Sequence, residues 1–237
     1  MSEWPRGLNK NFQLLVVEVI KQVERTQLLL ERPNDRLMWQ IRRRDDYIDH
    51  LRHLIENTCF TYFRQHGNIQ KAVANQIRSI SVITTNLERI ADFAVNIVGQ
   101  TAHFSDPTFL NRYDCRPFFD AIIKSLRQAG HAAEEVDANR ALSICEAEAR
   151  IDRLYEDKFK RILFDMAVHE NVANLVTALF IFHYLERMGD ALLNIGEAIL
   201  FSKMGERMKF EHYRSLGQAL SEATSPDTPL HEVDVEG

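Results

Sequence analysis

The segment YLERMGDALLNIGEAIL, Tyr184–Leu200, has the periodicity of an amphipathic helix. Leu185, Met188, Leu192, Ile195 and Ile199 fall on one stripe at spacings of three and four. Glu186, Asp190 and Asn194 recur every fourth residue and share a face beside that stripe. Gly189 sits between the two acids, in a helix interior where glycine costs about 1 kcal/mol relative to alanine. Its presence there predicts a close approach of another element to the backbone.

The pattern occurs twice. LERIADFAVNIV, residues 87–98, repeats LERMGDALLNIG, residues 185–196, with Leu87, Glu88, Arg89, Asp92, Asn96 and Ile97 conserved between the copies. Upstream of each, DDYIDHL (residues 45–51) matches EARIDRL (residues 148–154), pairing Asp45 with Glu148 and Asp49 with Asp152. Asp152 lies 103 residues after Asp49, and Glu186 lies 98 after Glu88. Two blocks in the same order at nearly equal offset define a duplicated unit of about a hundred residues.

Working outward, Phe12, Leu15, Val16, Val19 and Val23 predict a helix from Leu8 to Leu30, stopped by Pro33. A second helix follows from about Arg36 to Phe63, capped by Asn34 or Asp35, with Ile41, Ile48, Ile55 and Tyr62 seven residues apart. Asn68 is the expected cap of a third helix reaching about His103. Ser105–Pro117 reads as the link between halves. The second half repeats the plan, with helices over about Pro117–Val136, Arg140–Val168 (ended by His169-Glu170-Asn171) and onward to Met204. No strand-like alternation of useful length occurs. The expected fold is all-α: two repeated antiparallel three-helix bundles, over residues 8–104 and 115–206, followed by an acidic, loosely attached tail over 207–237.

Composition narrows the function. A formal net charge of −5 over 237 residues argues against nucleic-acid binding, which needs a basic surface. The longest uncharged apolar run, around Asn171–Leu185, is too short to cross a bilayer. Cys59, Cys115 and Cys145 are far apart, lack zinc spacing and suit a reducing cytoplasm. No signal-peptide core precedes the first helix.

The chemistry lies in the carboxylates. Asp45 and Asp49 flank the core stripe of the second helix, and Glu88 and Asp92 that of the third. Glu148, Asp152, Glu186 and Asp190 repeat the arrangement. If the helices pack antiparallel, each set of four converges on one ridge. Two such charges about 5 Å apart repel by on the order of 3 kcal/mol at an effective dielectric of 20. The set must therefore take up protons, splay into water or bind cations. Carboxylate oxygens are hard ligands, suited to magnesium, manganese or iron and acceptable to zinc, with Asn96 and Asn194 one turn further along. The competing reading is a pair of solvated helix faces, with Arg89 and Arg187 as local ion-pair partners. Arg42-Arg43-Arg44 reads as an exposed basic run, His183 as a core histidine, Cys145 as a small core residue and Gly130 as a kink or close contact.

The doubled L-E-R-x-x-D-x-x-x-N frame resembles the repeated signature of the PhoU family of phosphate-signalling proteins, over about residues 8–205. The family's glycine is present as Gly189 and replaced by Ala91 in the first copy. The resemblance implies two three-helix repeats whose carboxylate motifs hold metal ions, here Asp45, Asp49, Glu88, Asp92, Glu148, Asp152, Glu186 and Asp190. The implied role is that of a cytoplasmic, non-enzymatic, homodimeric adaptor between a phosphate transporter and a sensor histidine kinase. A metal-free helical scaffold and an accessory to another phosphate carrier are the alternatives. A di-iron oxidase is disfavoured, because no histidine in the chain has a glutamate three residues before it.

Overall fold

A computed structural model describes residues 7–168 and 171–206. The tail read from residue 207 onward, and the His169-Glu170 part of the fifth helix stop, lie outside the described residues. Six helices run in order: α1 Leu8–Glu31, α2 Asp35–Gln65, α3 Lys71–Thr101, α4 Arg116–Glu135, α5 Ala138–Val168 and α6 Val172–Met204. A short 3-10 turn, Phe109–Arg112, is the remaining element, and no strand occurs among the described residues. The chain is thus an all-α protein of two three-helix repeats.

The helix starts and stops follow local chemistry. Asn34 caps α2, its side chain accepting from the Leu37 amide at 3.2 Å. Asp137 performs the same service for α5, accepting from the amides of Asn139 and Arg140 at 2.9 and 3.2 Å. Asn171 caps α6 through the Asn174 amide at 3.3 Å. Asn68 does not cap α3; Gln70 holds the cap position and its side chain makes no capping bond. The third helix begins two residues later than a cap at Asn68 would place it.

The predicted stripes are the core. Phe12, Leu15, Val16, Val19 and Val23 of α1, Ile41, Ile48 and Ile55 of α2, and Leu185, Met188, Leu192, Ile195 and Ile199 of α6 are all buried. One cluster of buried side chains runs through both repeats, because α3 packs along α6 and α1 against α4. With α5 on its other side, α6 is buried against helices of both repeats, while Val172, Val176 and Phe180 near its start stay exposed.

Three features go beyond the sequence reading. The segment between the repeats is part of the core, with Phe109, Leu110 and Tyr113 buried and the Tyr113 hydroxyl donating to Asp165 Oδ2 at 2.6 Å. Asn174, also buried, ties the same segment to α6 by accepting from the Ser105 amide at 3.0 Å. Arg44 is more than part of an exposed run, since its Nε lies 2.6 Å from Oε2 of Glu18, a 3 % exposed acid on α1. A buried carboxylate is retained in that position only when a cation meets it.

The glycines record how tightly the helices meet. Gly130 receives α1, with Gln13 Oε1 3.0 Å from where a Cβ would stand. A Cβ at Gly189 would lie 3.0 Å from a methyl of Ile151 on α5, the close approach expected there. Gly196 is tighter still: its Cβ would meet Cys145 Sγ at 2.3 Å and the Ala141 carbonyl oxygen at 2.9 Å. Its counterpart in the first copy is Val98, so α5 and α6 approach at this point more closely than valine would allow. Cys145 is accordingly a buried packing residue, its thiol pushed up to about 12 chiefly by that burial. Gly196→Ala is expected to lower the unfolding free energy by about 1–2 kcal/mol, because a backbone carbonyl cannot yield. Gly189→Ala should change it by less than about 1 kcal/mol, since the Ile151 methyl can shift and alanine restores helix propensity. Urea denaturation of both variants checks the contrast.

Candidate metal-binding ridges

All eight candidate carboxylates lie where neighbouring helices meet. Asp45 and Asp49 project from α2 beside Glu88 and Asp92 of α3. Glu148 and Asp152 project from α5 beside Glu186 and Asp190 of α6. Six are half-buried, while Asp92 and Asp152 stand at the solvent edge. They occupy the flanks of the buried stripes because each sits three or four residues from a core position, next to Ile48 and Ile151 in the two upstream motifs.

The charges of each ridge act on one another. Asp45 is pushed up to about 6, first by burial and then by Asp92, Asp46 and Asp49. Glu88 is raised by burial and then by Asp92, with Asp49 and Asp45 adding to it. Asp92 is raised by burial and by Asp49, against the opposing pull of Arg52 and Arg89. In the second ridge Glu186 is pushed up to about 7 by burial, Asp190, Asp152 and Glu148. Glu148 and Asp152 also rise, by burial first and then through carboxylate neighbours. In both halves the carboxylates of the two facing helices thus bear on one another.

The two ridges differ in what neutralises them. In the first, the Arg52 guanidinium reaches Asp49 Oδ1 at 2.8 Å, Glu56 Oε2 at 3.0 Å and Glu88 Oε1 at 3.4 Å. His53 stands nearby, its Nε2 3.6 Å from Asp49 Oδ1. In the second, Arg187 pairs with Asp190 at 2.7 Å, and His183 Nδ1 lies 3.3 Å from Glu186 Oε2. His183 is thus not a core histidine: it is exposed, in a row of aromatic rings running Phe93, Tyr184, His183, Tyr155 and Phe159 with centroids 6.0–6.3 Å apart. Arg52 was legible as the residue three after Asp49, but nothing local to it marks its reach across to α3.

Among the described residues, no group of three or more His, Cys, Asp or Glu side chains has the arrangement of a formed metal site. The donor chemistry nonetheless fits a hard cation in the second ridge. Its carboxylates repel one another, and Glu186 Oε2 is a buried oxygen with no hydrogen bond. The first ridge fits less well, because Arg52 already lies among its acids.

The PhoU domain family model matches this chain twice, over residues 13–101 and 117–199. This chain belongs to the PhoU family. A phosphate-specific transport system accessory protein PhoU homolog of Borreliella burgdorferi is 31 % identical over 80 % of this chain and 88 % of its own. One from Clostridium acetobutylicum is 26 % identical over 79 % and 87 %. The fold is also that of the phosphate transport system regulatory protein PhoU from Streptococcus pneumoniae, with a TM-score of 0.77 at 23 % identity over 85 % of this chain and 96 % of that one. PhoU from Pseudomonas aeruginosa gives a TM-score of 0.73 over 84 % and 96 %. Both matched domains contain one complete carboxylate ridge. Among the described residues, no helix of this PhoU-family chain is long and apolar enough to cross a membrane.

The raised carboxylates fix a pH dependence. Glu186 releases its proton at about 7 in the folded chain against 4.5 unfolded, and Asp45 at about 6 against 3.8. The unfolded chain therefore ionises first as pH rises, and ionisation favours unfolding. For chelator-treated protein this contribution to stability is complete below about pH 4 and is lost between about pH 4 and 7. Glu186→Gln should raise Tm at neutral pH and leave it nearly unchanged at about pH 4, as read by differential scanning calorimetry.

Proposed function

We propose that this protein is a metal-binding regulator of phosphate uptake and phosphate-responsive signalling. It acts in the cytoplasm, as a homodimer, between a phosphate transporter and a sensor histidine kinase. The observation that carries the reading is the pairing of an acidic ridge with each PhoU domain, at the junction of two packed helices. The names of the relatives support the phosphate-transport part. The donor set supports a divalent or trivalent ion, drawn from iron, zinc, manganese and magnesium.

On the chain's side, the work is positional. Glu148 and Asp152 on α5 and Glu186 and Asp190 on α6 would hold the ion by carboxylate oxygens, and Asp45, Asp49, Glu88 and Asp92 form the corresponding ridge on α2 and α3. A bound ion supplies positive charge with open coordination positions, which lets an acidic surface accept an anionic group of a partner. No constellation of nucleophile and general base stands out in the sequence, and the reading is of an adaptor.

Two measurements test it. Metal content by mass spectrometry, on protein purified without a histidine tag, should show bound metal that falls in a Glu186→Ala, Asp190→Ala variant. In cells, deletion should leave a phosphate-starvation reporter active when phosphate is abundant, and the same variant should fail to restore repression. Repression restored in full by a variant that binds no metal would leave a metal-free helical scaffold as the better account.

A further inference from the structure

The two ridges have the same carboxylate pattern but different third partners. Three residues after Asp49 stands Arg52; at the repeat-related place, three residues after Asp152, stands Tyr155. Four residues further, Glu56 of the first repeat becomes Phe159 of the second. Arg52 lies among acids from two helices, with its Nη2 2.8 Å from Asp49, its Nη1 3.0 Å from Glu56 and its Nε 3.4 Å from Glu88. Its side chain is only 20 % exposed. Tyr155 instead joins the aromatic row, with its ring centroid 6.3 Å from that of His183 and 6.0 Å from that of Phe159.

We propose that the two PhoU repeats of this chain are not equivalent: Arg52 is the permanent cation of the first ridge, and only the second ridge, around Glu148, Asp152, Glu186 and Asp190, takes a metal ion. The inference rests on the metal-binding reading above and says which half does the binding. A guanidinium stays charged at every physiological pH and, being tethered, need not be recruited from solution. An ion entering the first ridge would have to displace three charge-assisted contacts and would then face the expelled positive charge a few ångströms away. In the second ridge Tyr155 holds the position of Arg52. Arg187 pairs there with Asp190 at 2.7 Å, both on α6, and so does not bridge two helices as Arg52 does. Each ridge has a histidine beside it, His183 Nδ1 at 3.3 Å from Glu186 Oε2 in the second and His53 Nε2 at 3.6 Å from Asp49 Oδ1 in the first, so the histidines do not distinguish them. Gly189, in place of Ala91, also brings Ile151 of α5 close to the α6 backbone beside these acids.

The experiment uses the full chain, untagged, stripped with chelator and reloaded separately with iron, manganese and zinc, with metal per chain read by mass spectrometry and fold by circular dichroism. Asp49→Asn, Asp92→Asn should leave the metal per chain unchanged. Asp152→Asn, Asp190→Asn should weaken binding by about tenfold or more. Tyr155→Arg, which copies the first repeat's cation into the second ridge, should have the same effect, and Arg52→Tyr should roughly double the metal per chain by opening the first ridge. Loss of half the metal in the Asp49, Asp92 variant would overturn the inference while leaving the metal-binding reading intact. Metal on neither ridge of the wild-type chain would overturn both.

Discussion

The packing of α6 between α3 and α5 is the constraint on which the rest of the molecule depends. Helix α6 buries apolar side chains toward both α3 and α5, and it can do so only because a helix of each repeat comes alongside. Gly189 and Gly196 permit that on the α5 side by removing the Cβ atoms that Ile151 and Cys145 would otherwise strike. The backbones then approach closely enough that residues flanking the contact, including Glu186 and Asp190, face those of α5 across a narrow ridge. Dispersion over many close contacts holds the acids together against their own repulsion.

That repulsion is managed differently in the two repeats, and the difference follows from single residues on otherwise matching helices. In the first, a long cationic side chain reaches from α2 across to α3 and joins acids of both helices. In the second, the corresponding position is aromatic, and Arg187 and His183 meet Asp190 and Glu186 from α6 itself. A duplicated fold can thus keep one framework while meeting the charge of its acids with different residues in each copy.

The segment joining the repeats belongs to this scheme as well. Phe109, Leu110 and Tyr113 complete the core where α1, α4 and α6 come together, and Asn174 and Asp165 fasten them by hydrogen bonds. The prolines there mark the chain reversal, but a short run of irregular backbone gives no periodicity from which burial can be read.

By itself, the sequence determined the six helices, the duplication and the identity of the eight acids, because these depend on spacing along one chain. A stripe at three and four residues, an Asn before a helix or a pair of acids one turn apart has its physical meaning locally. The tertiary structure decided the matters that depend on distance between helices: that Gly196 is the tightest contact, that Arg44 neutralises a buried acid, that His183 lies at the surface beside Glu186 and that Arg52 reaches Glu88. Periodicity assigns a residue to a face of its own helix. It does not determine how far a flexible side chain extends, or which charge on the neighbouring helix it meets, since those are set by the register and separation of packed helices.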